Sequence, residues 1–86
     1  MYLIVTKQGA DQYQGLKVVL ENSPNPADRL DRRSYAEYLL LDYISKMQPV
    51  SAHDFMDELE NIVEGIGLNV YRGLLTKGYL NIVDNP

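Results

Sequence analysis

Cysteine is absent from this chain of 86 residues, and histidine occurs once, at His53. Without cysteine the protein cannot form a disulfide, bind a metal through thiolates or use a thiol nucleophile. The lack of disulfides fits a reducing compartment, and we expect a cytoplasmic location. One histidine supplies too few ligands for a metal site, so we expect neither a metal nor any other cofactor.

Long apolar runs and an excess of basic residues are missing as well. The chain opens with the apolar residues 2–5, but Lys7 and Gln8 interrupt this run and no basic segment precedes it. The run is too short for a membrane-spanning helix and lacks the layout of a signal peptide, so we expect no membrane association. The net charge of −4 leaves the chain as a whole without a basic footprint for nucleic acid.

Catalytic constellations cannot be assembled from the residues present. Gly9 and Gly15 are too far apart for a dinucleotide-binding loop. His53 has Asp54 and Asp57 nearby, but no serine–histidine–acid set can be built around it. We therefore expect a protein that is not an enzyme and has no small-molecule substrate.

The strongest pattern that is present covers residues 31–47. Apolar residues recur there at helical spacing and Asp31 is a suitable N-cap, so the segment predicts a helix that ends before Pro49. Tyr38 and Leu41 make the opposite side apolar too, which is typical of a helix packed between other elements. We expect it to be the central helix of the domain. Its main apolar stripe consists of Ala36, Leu39, Leu40, Tyr43, Ile44 and Met47.

Two further helices and a strand are predicted after the central helix. Ser51 is placed to start the second helix and Gly65 to end it. A third, short helix covers about residues 68–77, with Gly78 as a left-handed cap, and residues 79–83 form the last strand. The second helix buries one stripe and exposes carboxylates. The stripe is Phe55, Leu59, Ile62, Val63 and Ile66, and the carboxylates are Asp54, Asp57, Glu58, Glu60 and Glu64.

The first quarter of the chain is predicted to be a β-hairpin. Residues 2–6 are rich in β-branched and aromatic side chains, and residues 16–21 follow a period of two. The glycine-bounded segment 9–15 between them predicts a loop. A cluster around Pro24 and Pro26 ends the second strand.

One domain accounts for the whole chain. The hairpin covers residues 1–21, a linker covers residues 22–30, and residues 31–83 form the helical core plus the last strand. Because so short a strand is not stable alone, we expect it to join the hairpin. The predicted fold class is α+β, with a winged-helix-like core of three helices and a small antiparallel sheet formed by the N-terminal hairpin and the C-terminal strand.

Residues 34–83 resemble a winged helix-turn-helix domain. The resemblance rests on the capped second helix, the turn over residues 64–68, the third helix, and the sequence Leu75-Thr76-Lys77-Gly78-Tyr79-Leu80, which is similar to the family's passage from recognition helix to wing. In this family the third helix enters the major groove of DNA. The chain stops soon after the last strand, so we expect no wing loop that reaches a minor groove. The DNA-binding residues that the resemblance implies are Asn69, Arg72, Thr76 and Lys77.

Two other groups of residues are candidates for binding a partner. Arg29, Arg32 and Arg33 cluster at the start of the central helix, where they either contact an anion or an acidic partner, or pair locally with neighbouring aspartates. Tyr38 and Leu41 are either buried under the sheet or form an exposed patch for a partner or for self-association. The sequence leaves both alternatives open.

Two functions follow from these features. The first is a non-enzymatic interaction module, of the adaptor, regulator or inhibitor type, that binds a protein partner or forms a homodimer through residues such as Tyr38. The second is a DNA-binding transcriptional regulator that uses the third helix, for which the acidic second helix is unfavourable because DNA is itself strongly negative.

Overall fold

The computed structural model describes residues 1–22, 25 and 30–84. Arg29 and most of the predicted linker lie outside these residues. In chain order the elements are β1 (Tyr2–Val5), α1 (Lys7–Glu21), α2 (Arg32–Met47), β2 (Val50–Ser51), α3 (Ala52–Ile62), α4 (Gly67–Thr76) and β3 (Leu80–Val83). The predicted α+β class is confirmed, because helices pack against one small antiparallel sheet.

The sheet is built around β1, with β2 on one side and β3 on the other, both antiparallel to it. Leu3 of β1 faces Val50 of β2 and Ile82 of β3, and its side chain is fully buried. One face of the sheet therefore joins the core. The predicted pairing of the last strand with the N-terminal strand is confirmed.

Helix α1 overturns two predictions. The strand predicted over residues 16–21 and the loop predicted over residues 9–15 are both wrong, because all of these residues are helical. The alternation of apolar residues fits a helix as well as a strand, because Leu16 and Leu20 are also one helical turn apart. Packing against α2 favours the helix. The second partner of β1 comes instead from β2.

The start of α1 lies against the turn before β3. The hydroxyl oxygen of Thr6 accepts a hydrogen bond from the N–H of Gly9 at 3.0 Å and donates one to the carbonyl of Gly78 at 2.6 Å. Gly9 is buried, and a Cβ at this position would overlap the carbonyl oxygen of Tyr79. Only a residue without a side chain permits this close approach.

Helix α2 occupies the centre, as predicted. Leu40, Leu41 and Ile44 are fully buried. Asp31 is the N-cap, since its Oδ1 accepts a hydrogen bond from the N–H of Ser34 at 2.7 Å, and this bond lowers the pKa of Asp31. Around α2 the core is completed by Leu3, Val50, Phe55, Leu59, Val63, Val70, Tyr71, Leu74 and Leu80.

The signals for the last two helices are also confirmed. The hydroxyl oxygen of Ser51 caps α3 by accepting a hydrogen bond from the N–H of Asp54 at 3.4 Å. Gly65 and Gly78 have φ angles of 88° and 78°, the left-handed conformation that glycine adopts without strain. Helix α3 ends at Ile62, slightly before the predicted stop at Gly65.

Candidate functional site

Three tyrosines form a row of stacked rings where α1 packs against α2. The ring centroids of Tyr13 and Tyr38 are 5.5 Å apart with an interplanar angle of 14°, and those of Tyr35 and Tyr38 are 6.3 Å apart at 9°. We call Tyr13, Tyr38 and Tyr35 the tyrosine row. Tyr35, Tyr38 and Asp42 share one side of α2, because their spacing of three and four residues corresponds to about one helical turn.

The tyrosine row is anchored by a carboxylate. The hydroxyl of Tyr13 donates to Oδ1 of Asp42 at 2.6 Å, and the Lys46 ammonium donates to Oδ2 at 2.9 Å. The bond to Asp42, together with burial, raises the pKa of Tyr13. Burial alone would raise the pKa of Asp42, but the bonds from Tyr13 and Lys46 outweigh it and lower that pKa. The first ring of the row is therefore fixed in place.

The opposite end of the tyrosine row is open to solvent. Tyr13 and Tyr38 are half-buried, whereas 36% of the surface of Tyr35 is accessible to solvent. The Lys17 ammonium lies 5.9 Å from the centroid of the Tyr13 ring. Among the described residues, no second ring or cation covers the Tyr35 ring.

The structure decides between the two alternatives left open for Tyr38 and Leu41. Leu41 is fully buried in the core, so it cannot belong to an exposed partner-binding patch. Tyr38 is half-buried, and what covers it is Tyr13 of α1. The sequence suggested the sheet as the cover, because residues 7–21 were not expected to be helical.

The two described arginines of the predicted cluster contact residues far along the chain. Arg32 Nη2 donates to the carbonyl of Glu64 at 3.1 Å, beyond the end of α3. Arg33 Nη1 donates to Oδ1 of Asn69 on α4 at 2.6 Å, and its guanidinium lies over Gly73. Both bonds tie the start of α2 to the α3–α4 region.

The four residues implied by the winged helix-turn-helix resemblance lie in or directly after α4. Asn69 accepts the bond from Arg33, and the Thr76 hydroxyl donates to the carbonyl of Arg72 at 2.9 Å. Lys77 pairs with Glu37 of α2 at 2.7 Å. Arg72 is exposed, and its guanidinium has no bonding partner among the described residues. Three of the four therefore already have partners within the protein.

The Glu37–Lys77 ion pair ties α2 to the residue that directly follows α4. Only 6% of the side-chain surface of Glu37 is accessible to solvent, whereas 45% of that of Lys77 is accessible. A buried carboxylate without a partner is costly, so Lys77 has a structural role that the sequence did not reveal.

One group of side chains has the composition of a weak metal site. His53, Asp54 and Asp57 carry ligand atoms within 4.8 Å of one another, and all three residues are exposed. They lie in the first turns of α3, where the partial positive charge of the helix N-terminus disfavours a cation. No other group of this kind occurs within the described ranges.

Sequence reasoning missed two members of the tyrosine row. Tyr35 could have been found, because it precedes Tyr38 by three residues on the same helix. Tyr13 could not, because its segment did not predict a helix and its partner Asp42 lies 29 residues away.

Comparison with known proteins adds no relative: no protein-family model matches the chain, and no curated protein or solved structure is significantly similar to it. None of the helices in the described ranges is both long and apolar enough to span a bilayer. Any functional conclusion therefore rests on the surfaces described above.

Proposed function

We propose that this protein is a non-enzymatic interaction module that binds a protein partner through the tyrosine row. The observation that carries the proposal is the open stack, in which Tyr13 is anchored by Asp42 and the ring of Tyr35 is available at the other end. A cysteine-free chain of this kind suits the cytoplasm, where we place it.

Physical chemistry favours such a row as a contact surface. Tyrosine offers a large rigid ring with a polar tip and loses little conformational entropy on binding. Stacking and the hydrogen bond to Asp42 already hold the rings, so a partner meets an ordered surface. A partner segment that presents an aromatic or guanidinium group can stack on the exposed part of Tyr35.

Site-specific photo-crosslinking tests the proposal. A photoreactive amino acid at position 35 is compared with the same amino acid at position 47, since Met47 is exposed but lies outside the tyrosine row. In an extract of the source cells, we expect position 35 to give a discrete protein adduct that position 47 does not give. Equal labelling from both positions, or no adduct from position 35, would contradict the proposal.

DNA binding is the second candidate, and one observation favours it. Residues 65–83 contain no acidic residue. Arg72 and Asn69 are exposed on α4, and Arg33 of α2 bonds to Asn69. This is the helix that the winged helix-turn-helix resemblance would place in a groove. The internal bonds of Asn69, Thr76 and Lys77 make it the weaker candidate, because they would have to break before base contact.

Titration with mixed duplex DNA at low salt separates the two functions, since electrostatic binding is strongest there. The interaction module is expected to show no shift. A shift that is lost in Arg72→Ala, but kept in an exposed control variant such as Met47→Ala, would favour DNA binding instead.

A further inference from the structure

The side chain of Arg33 is held at a fixed position against α4. Its Nη1 donates to Oδ1 of Asn69 at 2.6 Å. A Cβ at position 73 would lie only 2.7 Å from its Nη2, so the guanidinium rests closely against the helix at Gly73. Arg33 is nevertheless exposed to solvent. Because Gly73 has no side chain, an arginine of α2 can lie against α4 and remain accessible.

Arg72 supplies a second guanidinium on the same side of α4. It follows Asn69 by three residues, so the Cβ atoms of the two residues are about 5–6 Å apart. Arg72 is exposed, and in the part of the chain that the structure describes no hydrogen bond or ion pair engages its guanidinium. A guanidinium has five N–H donors, and the bond to Asn69 uses one of those of Arg33. Both arginines therefore have donors left for a common ligand.

The charge around the two arginines is positive. Residues 65–83 contain no aspartate or glutamate. Glu37 lies one turn after Arg33 on α2 but is paired with Lys77 at 2.7 Å. Asp31, whose charge interacts with that of Arg33, accepts the hydrogen bond that caps α2. Three cations therefore stand beside two carboxylates, so this surface attracts an anion although the whole chain has a net charge of −4.

A phosphate monoester has the chemistry that such a pair of arginines binds best. It carries a charge of about −1.5 to −2 at neutral pH and three strong acceptor oxygens, and guanidinium groups bind phosphate oxygens through paired N–H···O bonds. Sites for free small molecules are concave, whereas Arg33, Asn69 and Arg72 are all exposed. An open surface suits a phosphate carried by a protein segment, whose neighbouring residues add further contacts.

An extended polyanion fits this surface less well, because the acidic helix α3 packs against α4. The exposed carboxylates of α3 and of the turn after it are Asp54, Asp57, Glu58, Glu60 and Glu64. Duplex DNA carries one charge per ~1.7 Å of its axis, so a duplex on α4 would bring many phosphates towards these carboxylates. A single phosphate group needs only the two arginines.

We propose that Arg33 and Arg72 bind a phosphorylated side chain of a protein partner, a recognition mode in which clustered arginines receive the phosphate. Asn69 and Gly73 are positioning residues, because the first holds the guanidinium of Arg33 and the second leaves space for it. The site lies on the side of α2 that faces α4, so it is separate from the tyrosine row and does not depend on it.

An NMR titration with N-acetyl-O-phosphoserine amide tests the proposal, with N-acetylserine amide as the unphosphorylated control. We expect the phosphorylated probe to shift the Nε–H resonances of Arg33 and Arg72, and Arg72→Gln to raise its Kd at least about tenfold. Lys46→Gln removes the same charge about 20 Å away along α2, and we expect it to change the Kd by less than about twofold because salt screens that distance.

Three results of this titration would overturn the proposal. The first is an absence of shifts with the phosphorylated probe at tens of millimolar, and the second is an equal response to the unphosphorylated probe. The third is equal weakening by Arg72→Gln and Lys46→Gln, which would show a general charge effect. Mixed duplex DNA that shifts the resonances of Arg33 and Arg72 at about 0.15 M salt would also overturn it, because nucleic acid would then be the source of the phosphate.

Gly73→Ala tests the geometry without changing any charge. The new Cβ would lie 2.7 Å from Nη2 of Arg33, and this flexible side chain can move aside, so the protein should still fold. We expect the Kd for the phosphorylated probe to rise at least about threefold, because the guanidinium is no longer held in place. Gly15→Ala is the matched control, since nothing lies within 4 Å of its Cβ position. Equal Kd values for the two variants would overturn the proposed site.

Discussion

Helices α1 and α4 both pack against α2, but they are held by different chemistry. On the side of α2 that faces α1, Tyr35, Tyr38 and Asp42 make stacking contacts and one short hydrogen bond. On the side that faces α4, Arg33 and Glu37 make polar bonds to Asn69 and Lys77. The α1 contact leaves an aromatic surface open, whereas the α4 contact occupies Asn69 and Lys77, two of the four residues that could be offered to DNA.

The close approach of α1 to the turn before β3 gives the largest expected effect. In Gly9→Ala the new Cβ would overlap the carbonyl oxygen of Tyr79, and backbone cannot move aside as a side chain can. We expect the free energy of unfolding to fall by about 3 kcal/mol. Urea denaturation measures this loss. A loss below about 1 kcal/mol would show that α1 docks more loosely than described.

The α4 contact depends on its buried carboxylate. Lys77→Met leaves Glu37 without its partner, and we expect a loss of about 2 kcal/mol, less than for a fully buried pair because Lys77 is partly exposed. The double variant Glu37→Leu with Lys77→Met should lose less than the sum of the two single variants, since no unpaired charge remains. Additive losses would show that the ion pair contributes nothing as a pair.

The α1 contact depends on the hydroxyl of Tyr13. Tyr13→Phe keeps the ring but removes the bond to Asp42, and we expect a loss of about 1 kcal/mol at neutral pH. Thermal or urea denaturation measures it. An unchanged stability would mean that stacking alone holds the tyrosine row.

Tyr13→Phe should also change how the stability of the protein depends on pH. The pKa of Asp42 is lowered in the folded protein, so its contribution is complete above the unfolded value of about 4 and is lost as the pH falls through the folded value. Because Tyr13 helps to lower that pKa, the stability of Tyr13→Phe should fall less steeply below about pH 4 than that of the natural chain. Parallel curves would contradict the assigned role of the bond.

The smallest expected effect tests the helical state of α1 itself. Gly15 lies inside α1, and nothing lies within 4 Å of the position that a Cβ would take there. Gly15→Ala should therefore stabilise the protein by about 0.5–1 kcal/mol, because alanine favours the helix. The loop predicted from the sequence would give no such gain. This variant is also the matched control for Gly9→Ala.

The sequence was sufficient for the second half of the fold because its signals are local. Asp31 and Ser51 cap helices within three residues of themselves, and Gly78 takes the left-handed conformation expected after a helix. Helix α1 could not be predicted in the same way. Thr6 caps the helix locally through the N–H of Gly9, but the close approach that requires glycine at position 9 is to the carbonyl of Tyr79, more than 60 positions away.

In the candidate site, too, local features could be predicted from the sequence and long-range contacts could not. Tyr38, Arg32 and Arg33 could be selected by residue type and position on α2. Their partners could not, because these lie on other elements: Tyr13 for the ring, and the carbonyl of Glu64 and the side chain of Asn69 for the arginines. The burial of Leu41 stayed open for a related reason, since periodicity alone does not show which side of a central helix faces the core.

The central claim is that the open end of the tyrosine row is the binding surface. A competition experiment tests it most directly. The adduct formed from position 35 is challenged with an excess of the unlabelled natural chain, of Tyr35→Phe and of Tyr35→Ala. We expect the natural chain and Tyr35→Phe to suppress the adduct equally, because both present the ring, and Tyr35→Ala to compete at least about tenfold less well, as for loss of a contact worth about 1.4 kcal/mol. Equal competition by Tyr35→Ala would contradict the claim.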